Sequence, residues 1–150
     1  MAPGRQNVGV PAPLIGRLRF LYTGVDDTET AVAYYLDALG GTLRWRFQHF
    51  GADVAAIDLP GDRDDSPLVM LADHRPAGTV LPIYEVEDLD AVTRHFVAEG
   101  VRVDGPMGSP EGDAIVVHGP DGGELAFLEV VRPGAMDGAY ADRQNEHRVL

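Results

Sequence analysis

Four side chains in the strand-like runs of this 150-residue sequence could contact a ligand: two carboxylates, one imidazole and one indole. Glu85 and Glu124 lie inside strand-like runs, where each is a candidate acid, base or anchor for a cationic ligand. An arginine neighbour, or exposure at a sheet edge, is the plainer explanation of both carboxylates. His118 ends another such run and could reach the same region. Trp45, the only tryptophan, either stacks on a planar or cationic ligand or packs against the protein itself.

The composition excludes several kinds of catalysis. The sequence has no cysteine, and all twelve of its basic residues are arginine, so thiolate nucleophiles, Schiff bases and cysteine-ligated metals are ruled out. Its two serines, Ser66 and Ser109, each precede a proline in a loop-like segment, which argues against a nucleophilic serine. The formal net charge of −12 repels phosphate backbones, so we expect no nucleic-acid partner; a field of that sign favours cationic small molecules.

The length and hydropathy indicate one globular domain. Apolar residues make up 45% of the chain, but no apolar stretch approaches the roughly 18 residues of a membrane span. We therefore expect no membrane partner. The first seventeen residues contain no continuous apolar segment of the kind that marks a signal peptide, so we expect a cytoplasmic protein.

A repeat spaced by 61 residues organises the chain, since Val25-Asp26-Asp27 returns as Val86-Glu87-Asp88. In both copies a strand-like run comes before this motif and a helical stripe follows it. The last residue of each motif takes the N-cap position, where a carboxylate accepts the first amide hydrogens of a helix. Gly40 and Gly100 follow the stripes, as expected of residues that end a helix.

Three strand candidates follow each helix. They cover residues 42–49, 52–59 and 67–72 in the first half and 101–104, 114–118 and 124–131 in the second. Each half therefore has the order β-α-β-β-β. This order predicts an α+β fold of two βαβββ modules, residues 17–74 and 78–131, whose sheets join into a concave mixed sheet around a cavity. Outside them we expect a flexible N-terminal arm, residues 1–16, and a C-terminal tail, residues 132–150, either unstructured or a short helix on a partner.

The two modules and four motifs resemble the vicinal oxygen chelate superfamily, which includes glyoxalase I, extradiol dioxygenases and the bleomycin and fosfomycin resistance proteins. The motifs are a strand ending in Val-x-Asp at residues 20–27, Tyr34-Tyr35-x-x-x-Leu39-Gly40, residues 86–100, and Gly119-Pro120-Asp121-Gly122 before the last strand. The likeness covers residues 17–131. It implies a glyoxalase-like fold, a homodimer and a small-molecule pocket that lies either within one chain or between subunits.

The resemblance also implies where a metal would bind. Metal-dependent members carry a His or Gln in the first strand, a His in the fifth and a Glu in the last. Counting seven residues back from Asp27 and Asp88 reaches Phe20 and Leu81, and the last-strand position is Ala126. The fourth strand, which supplies a carboxylate in some members, is apolar at residues 68–71. Hydrocarbon side chains cannot ligate a divalent cation, so we predict the metal-free branch, without metal or other cofactor.

The five histidines do not supply another metal site. They stand at positions 49, 74, 95, 118 and 147, without the close spacing of a metal-binding motif.

Strand alternation selects the side chains that face the cavity. The predicted ligand-binding residues are Phe20, Tyr22, Trp45, Leu81, Ile83, Glu85, His118, Glu124 and Ala126. A mostly apolar set with a few polar anchors is typical of small-molecule sites, and no catalytic residue is assigned. The set predicts a protein that binds a small aromatic or cationic organic ligand without metal. The alternatives are a lyase, isomerase or dioxygenase with an atypical metal or acid–base site, and a domain that serves only oligomerisation or regulation.

Overall fold

A computed structural model describes residues 15–49, 51–142 and 145–149. The strands are β1 (Ile15–Gly24), β2 (Thr42–His49), β3 (Ala52–Asp58), β4 (Leu68–Ala72), β5 (Val80–Val86), β6 (Arg102–Ser109), β7 (Gly112–His118) and β8 (Glu124–Glu129). The helices are α1 (Thr28–Ala33), extended by a π-helical turn (Tyr34–Ala38), α2 (Leu89–Ala98) and α3 (Ala135–Tyr140). The predicted N-terminal arm lies outside the described residues, except that its last two positions begin β1.

All eight strands join one mixed sheet in the order β2-β3-β4-β1-β5-β8-β7-β6, which confirms the two-module prediction. β1 runs parallel to β4 and antiparallel to β5, and β5 runs parallel to β8. In the central β1–β5 pair, Phe20 lies opposite Ile83 and Tyr22 lies opposite Leu81. Phe20 and Leu81 are equivalent in the 61-residue repeat, as are Tyr22 and Ile83. This exchange of equivalents is what a pseudo-twofold axis between the two strands requires.

The helices α1 and α2 cover one face of the sheet, the outer face. Asp27 accepts a hydrogen bond from the Thr30 amide and Asp88 accepts one from the Ala91 amide, so both predicted N-caps are present. Val32 of α1 packs on β3 and β4 residues, and Leu89 and Val92 of α2 pack on β7 and β8 residues. The apolar stripe of each helix thus fixes the side chains of alternate strand positions on this face, and leaves the others for the opposite, inner face.

The sixth strand is longer than predicted. It was expected to end at residue 104, but it continues through Pro106 to Ser109. β6 lies at one edge of the sheet. A proline has no N–H to donate, and an edge strand tolerates this because its open side forms no hydrogen-bond ladder. A register shift between Asp104 and Met107 accommodates the Gly105-Pro106 step.

The predicted tail folds back on its own chain. We call its described part, residues 134–142 and 145–149, the C-terminal strap. Met136 and Tyr140 of α3 pack against the inner-face cluster of the first module. Farther along, the Gln48 amide donates to the His147 carbonyl at 2.8 Å, and the Val149 amide donates to the Arg46 carbonyl at 2.8 Å. The strap therefore supplies hydrogen-bond partners to β2, the strand at the other sheet edge.

Within the described ranges, no helix has the length and apolar character needed to cross a membrane.

Candidate functional site

Five of the predicted ligand-binding residues lie side by side at the centre of the inner face. The β1–β5 pairing brings together Phe20, Tyr22, Leu81 and Ile83, and Ile83 lies opposite Ala126 on β8. Phe20, Leu81 and Ala126 are 4%, 5% and 2% exposed, and they pack among other apolar side chains. We call these five residues the apolar floor.

The apolar floor offers no donor atom to a divalent cation. Phe20, Leu81 and Ala126 stand at the three positions where the resemblance implies metal ligands. On the neighbouring strand β4, the inner-face residues are Leu68, Met70 and Ala72. A zinc or similar ion needs three or four converging nitrogen or oxygen donors, so these residues do not fit one. Across the described part of the chain, no three histidine, aspartate or glutamate side chains come together as a metal-binding group.

A cavity of about 460 Å³ opens at one end of the floor, between the first half of β1, the loop before β4, the β6–β7 turn and the strap. Its charged walls contain four arginines and five carboxylates: Arg17, Arg19, Arg44, Arg63, Asp58, Asp62, Asp64, Glu111 and Asp137. Its apolar surface comes from Phe20, Leu59, Leu68 and Met136. We call it the arginine–acid cavity. A volume of this size lies in the range that holds small organic ligands.

One wall of the arginine–acid cavity is an ion-pair network centred on Arg19. Its Nη1 lies 2.6 Å from Glu85 Oε1, its Nε donates to Glu111 Oε1 at 2.9 Å, and its Nη2 lies 2.8 Å from the same Glu111 oxygen. Arg17 Nε adds a second contact to Glu85 Oε1, at 3.2 Å. The Glu111 side chain is only 4% exposed, and that of Arg19 is 15% exposed. Glu85 therefore has arginine partners, which is the plainer of the two explanations that its sequence position allowed.

Sequence reasoning missed both Arg19 and Glu111. Strict alternation from Phe20 directs Arg19 to the outer face, but register shifts in the β1–β5 pair bring its side chain to the same cavity as that of Phe20. Glu111 lies in the short turn between β6 and β7, where an acidic residue is ordinarily solvated. The arginine inside an apolar run was the one available signal, since burying its guanidinium demands a carboxylate partner.

The opposite wall of the cavity is built on Arg44. Its Nη2 and Nε bind Asp58 in a bidentate pair at 2.6 and 3.0 Å, and its Nη1 lies 3.2 Å from Asp137 of the strap. Asp137 also accepts a hydrogen bond of 2.8 Å from Trp45 Nε1. One carboxylate of the strap is thus tied to both residues of β2, which fixes the strap as a wall of the cavity.

Trp45 itself faces protein rather than the cavity. It is 2% exposed, and its ring centroid lies 4.9 Å from that of Tyr140. Tyr140 also stacks on Phe47, at a centroid distance of 4.1 Å. Since the strap covers these rings, packing within the chain accounts for Trp45 in this arrangement, as the second of its two sequence-based explanations states.

His118 and Glu124 lie at the other end of the floor, in a group that we call the histidine cluster: His74, Arg75, Asp104, His118 and Glu124. His118 Nε2 lies 2.6 Å from Asp104 Oδ2, and this hydrogen bond is the main cause that lowers the pKa of Asp104. Arg75 Nη2 donates to Glu124 Oε1 at 2.8 Å. His118 Nδ1 and Glu124 Oε2 are 3.7 Å apart, which is an ion-pair distance without a hydrogen bond.

Tyr22 joins the histidine cluster to the floor. Its hydroxyl lies 3.1 Å from His74 Nε2. Burial raises the pKa of Tyr22 to about 12, so the phenol stays protonated at neutral pH. The nine predicted residues therefore separate into four places: the floor, the ion pairs with the cavity-lining Arg17 and Arg19 (Glu85), the histidine cluster (His118 and Glu124) and the covered ring of Trp45.

Comparisons with known proteins agree with the fold. The family model described as Glyoxalase/Bleomycin resistance protein/Dioxygenase superfamily matches residues 18–127. The ethylmalonyl-CoA/methylmalonyl-CoA epimerase of Cereibacter sphaeroides is 34% identical over 118 residues, covering 71% of this chain and 84% of that protein.

Two solved structures share the architecture at lower identity. Methylmalonyl-CoA epimerase from Mycobacterium tuberculosis superposes with a TM-score of 0.66 at 20% identity, over 86% of this chain and 97% of the other. Homoprotocatechuate 2,3-dioxygenase from Arthrobacter globiformis gives 0.64 at 19% identity, over 92% of this chain and 41% of the dioxygenase chain. These likenesses confirm the predicted fold class.

Proposed function

We propose a function from one premise: the chain belongs to the Glyoxalase/Bleomycin resistance protein/Dioxygenase superfamily. Our proposal is that it binds a small organic ligand of aromatic or cationic character without a metal ion. The observation that carries it is the apolar floor, because Phe20, Leu81 and Ala126 replace the three implied ligands. These three side chains have no atoms that bind a metal ion, so the proposed function includes no metal-dependent step at the floor.

The arginine–acid cavity is the proposed ligand site. Its apolar surface can cover a ring or chain, and its charged walls can orient a polar group. The two walls are held by ion pairs on Arg19 and Arg44, so the side chains that would meet a ligand are already ordered before it arrives. A preorganised site without a metal or nucleophile is suited to capture by mass action.

Metal content tests the proposal directly. The purified chain is incubated with Co²⁺, Mn²⁺ or Zn²⁺, desalted and measured by elemental analysis, and we expect well below one ion per chain. The matched control is the triple variant Phe20→His, Leu81→His, Ala126→Glu, which restores nitrogen and oxygen donors at the three positions and is expected to retain metal. A stoichiometric ion in the unaltered chain that also supports turnover would contradict the proposal.

Ligand binding is tested by thermal shift with a panel of aromatic amines and aromatic antibiotics. A hit is then repeated on Asp64→Trp, which places a large ring at the exposed mouth of the cavity. The control is Asp90→Trp on the exposed side of α2. We expect the Asp64 variant to lose the shift and the Asp90 variant to keep it; equal shifts in both would place the ligand elsewhere.

The relative of 34% identity favours a second candidate, epimerisation of an acyl-CoA ester. Such a reaction removes and returns a proton at the carbon beside the thioester carbonyl, so it exchanges that hydrogen with solvent. Methylmalonyl-CoA is incubated with the chain in deuterated water, with and without Co²⁺, and followed by NMR. Deuterium uptake that rises with protein concentration would replace the binding proposal with this one.

We also propose a homodimer and a cytoplasmic location. Ile15 and Val131 are 43% and 52% exposed and line one hollow of the surface with Val130, which suits a contact between copies. Sedimentation at micromolar concentration should give about 32 kDa, twice the chain mass of 16.1 kDa. A species of the single-chain mass would contradict the dimer.

A further inference from the structure

Glu111 is a buried carboxylate with only one of its two oxygens engaged. Arg19 Nε donates to Oε1 at 2.9 Å, and Arg19 Nη2 lies at an ion-pair distance of 2.8 Å from the same oxygen. Oε2 receives no hydrogen bond from the described residues, and it is not one of their fully buried unpartnered atoms, so it keeps some contact with solvent although the side chain as a whole is only 4% exposed. A carboxylate oxygen that no protein donor occupies can accept a hydrogen bond from a donor outside the protein. Since Glu111 lines the arginine–acid cavity, that donor comes from whatever occupies the cavity.

The backbone holds Glu111 in this position. Its carbonyl accepts hydrogen bonds from the amides of Val131 and Arg132, at 2.8 and 3.0 Å. The next residue, Gly112, has a positive φ of 151° and leaves no room for a side chain, because a Cβ there would overlap the Glu129 carbonyl oxygen. The carboxylate is therefore presented by a fixed turn rather than by a mobile loop.

The charge of the whole cavity lining favours a positive partner. The Arg19 guanidinium is shared between Glu111 and Glu85, and Arg17 also contacts Glu85, so two guanidinium charges serve these two carboxylates. On the other wall, Arg44 is likewise shared between Asp58 and Asp137. Arg63 lies in the exposed loop at the mouth, between Asp62 and Asp64. The cavity lining thus carries one more carboxylate than arginine, and its arginines are already committed on both inner walls.

We infer that the ligand is an organic cation with an N–H donor, an ammonium or amidinium, which donates to Glu111 Oε2. This inference rests on the proposed function and names the chemical class of its ligand. The apolar part of the ligand lies against Phe20 and Leu68, next to the carboxylate. A desolvated ion pair of this kind discriminates against neutral and anionic compounds of the same shape.

Three probes with one aromatic body test the inference: phenethylamine, phenethyl alcohol and phenylpropionate. Their affinities are measured by isothermal titration at neutral pH. We expect the amine to bind at least about tenfold tighter than the alcohol, and the propionate to bind weakest. An alcohol or propionate as tight as the amine overturns the inference, and so does absence of amine binding at millimolar concentration. This comparison uses the unaltered chain, so it does not depend on the folding of any variant.

Two carboxylate-to-amide variants then locate the contact. Glu111→Gln keeps a carbonyl oxygen for Arg19 and is expected to bring the amine within about twofold of the alcohol. Glu99→Gln removes the charge of an exposed carboxylate at the C-terminal end of α2, away from the cavity, and it should leave the amine preference unchanged. An amine preference that survives in Glu111→Gln overturns the inference.

The failure of this inference and that of the proposed function are distinguishable. If phenylpropionate binds best and Asp64→Trp blocks it, the cavity binds ligands but the assigned class is wrong. If every probe that binds keeps its affinity in Asp64→Trp, the ligand does not occupy the arginine–acid cavity, and the site of the proposed function is wrong as well.

Discussion

The two modules share the order β-α-β-β-β, yet different residues cover their inner faces. In the first, the C-terminal strap covers Trp45 and Phe47 with Met136 and Tyr140. In the second, Leu81, Val116 and Ala126 form a small apolar cluster bordered by the histidine cluster. A repeated backbone therefore does not imply a repeated surface, because the side chains of alternate strand positions and the path of the tail are independent of the caps and stripes that build each module.

The two edge strands show the same contrast. β2 ends one side of the sheet, and the strap pairs with it through two backbone hydrogen bonds of 2.8 Å. β6 ends the other side; it pairs with β7, its outer side meets no strand of the described residues, and it carries Pro106 and a register shift. Both devices keep an edge from pairing with another chain, one by occupying it and one by interrupting its ladder.

Among the changes proposed here, removal of the C-terminal strap should reduce the stability of the protein the most. Deleting residues 133–150 uncovers the first module's inner face, and we expect the free energy of unfolding to fall by about 4 kcal/mol or more. Urea denaturation measures the loss. Fluorescence reports the cause, because Trp45 is the only tryptophan and is 2% exposed when the strap is present. An emission maximum unchanged by the deletion would show that the strap does not cover the ring.

The ion pairs of the two ends should differ in strength. Arg19→Met strands Glu111, whose side chain is 4% exposed, and we expect a loss of about 3 kcal/mol. Arg75→Met breaks the pair with Glu124, whose side chain is 34% exposed, and we expect about 1 kcal/mol. Arg75 Nε is buried without a hydrogen-bond partner among the described residues, which further reduces what that pair contributes. Equal losses in chemical denaturation would remove this distinction between the ends.

Acid should act more strongly on the first module. Hydrogen bonds from Arg46 are the main cause that lowers the pKa of Asp53, and a hydrogen bond from His118 lowers that of Asp104. A carboxyl group whose pKa is lowered by folding stabilises the folded protein when the pH is above 3.8, the ordinary pKa of the group. This stabilisation is lost as the pH falls through the lower pKa of the folded state.

The Asp53 carboxylate is 14% exposed in its pair with Arg46, so Asp53→Asn is expected to cost about 1 to 2 kcal/mol at neutral pH. The variant should also lose less stability than the unaltered chain between pH 5 and pH 2.5. Asp104→Asn should show the same direction with a smaller change, because that carboxylate is 45% exposed. Unfolding curves across this range decide the matter, and a larger change for Asp104→Asn would reverse the comparison.

The helix caps should give the smallest and most equal effects. Asp88→Ala removes the hydrogen bond to the Ala91 amide and should cost about 1 kcal/mol. Asp27→Ala removes the one to the Thr30 amide and should lower the melting temperature in the same direction. Asp90→Ala, an exposed change in the same first turn of α2, is the control. Strongly unequal shifts for the two caps would mean that the modules differ in their helices as well as their inner faces.

Short-range sequence patterns were enough to predict the fold. The repeat of 61 residues placed Asp27 and Asp88 at helix starts and made Phe20 equivalent to Leu81, and the central strand register reproduces that symmetry. Period-two alternation placed five predicted residues together on the floor. Alternation failed at Arg19, where a register shift in the β1–β5 pair changes the direction of a side chain, and nothing in the neighbouring sequence announces such a shift.

The sequence by itself determined the two modules, their caps and the hydrocarbon character of the floor, because each depends on residues close together in the chain or on a fixed periodicity. Only the tertiary structure decided which carboxylate is buried and where the tail lies. Arg19 and Glu111 are 92 positions apart, and so are Trp45 and Asp137. Contacts over such separations arise from the packing of whole modules, and the residue types alone do not say which arginine meets which acid.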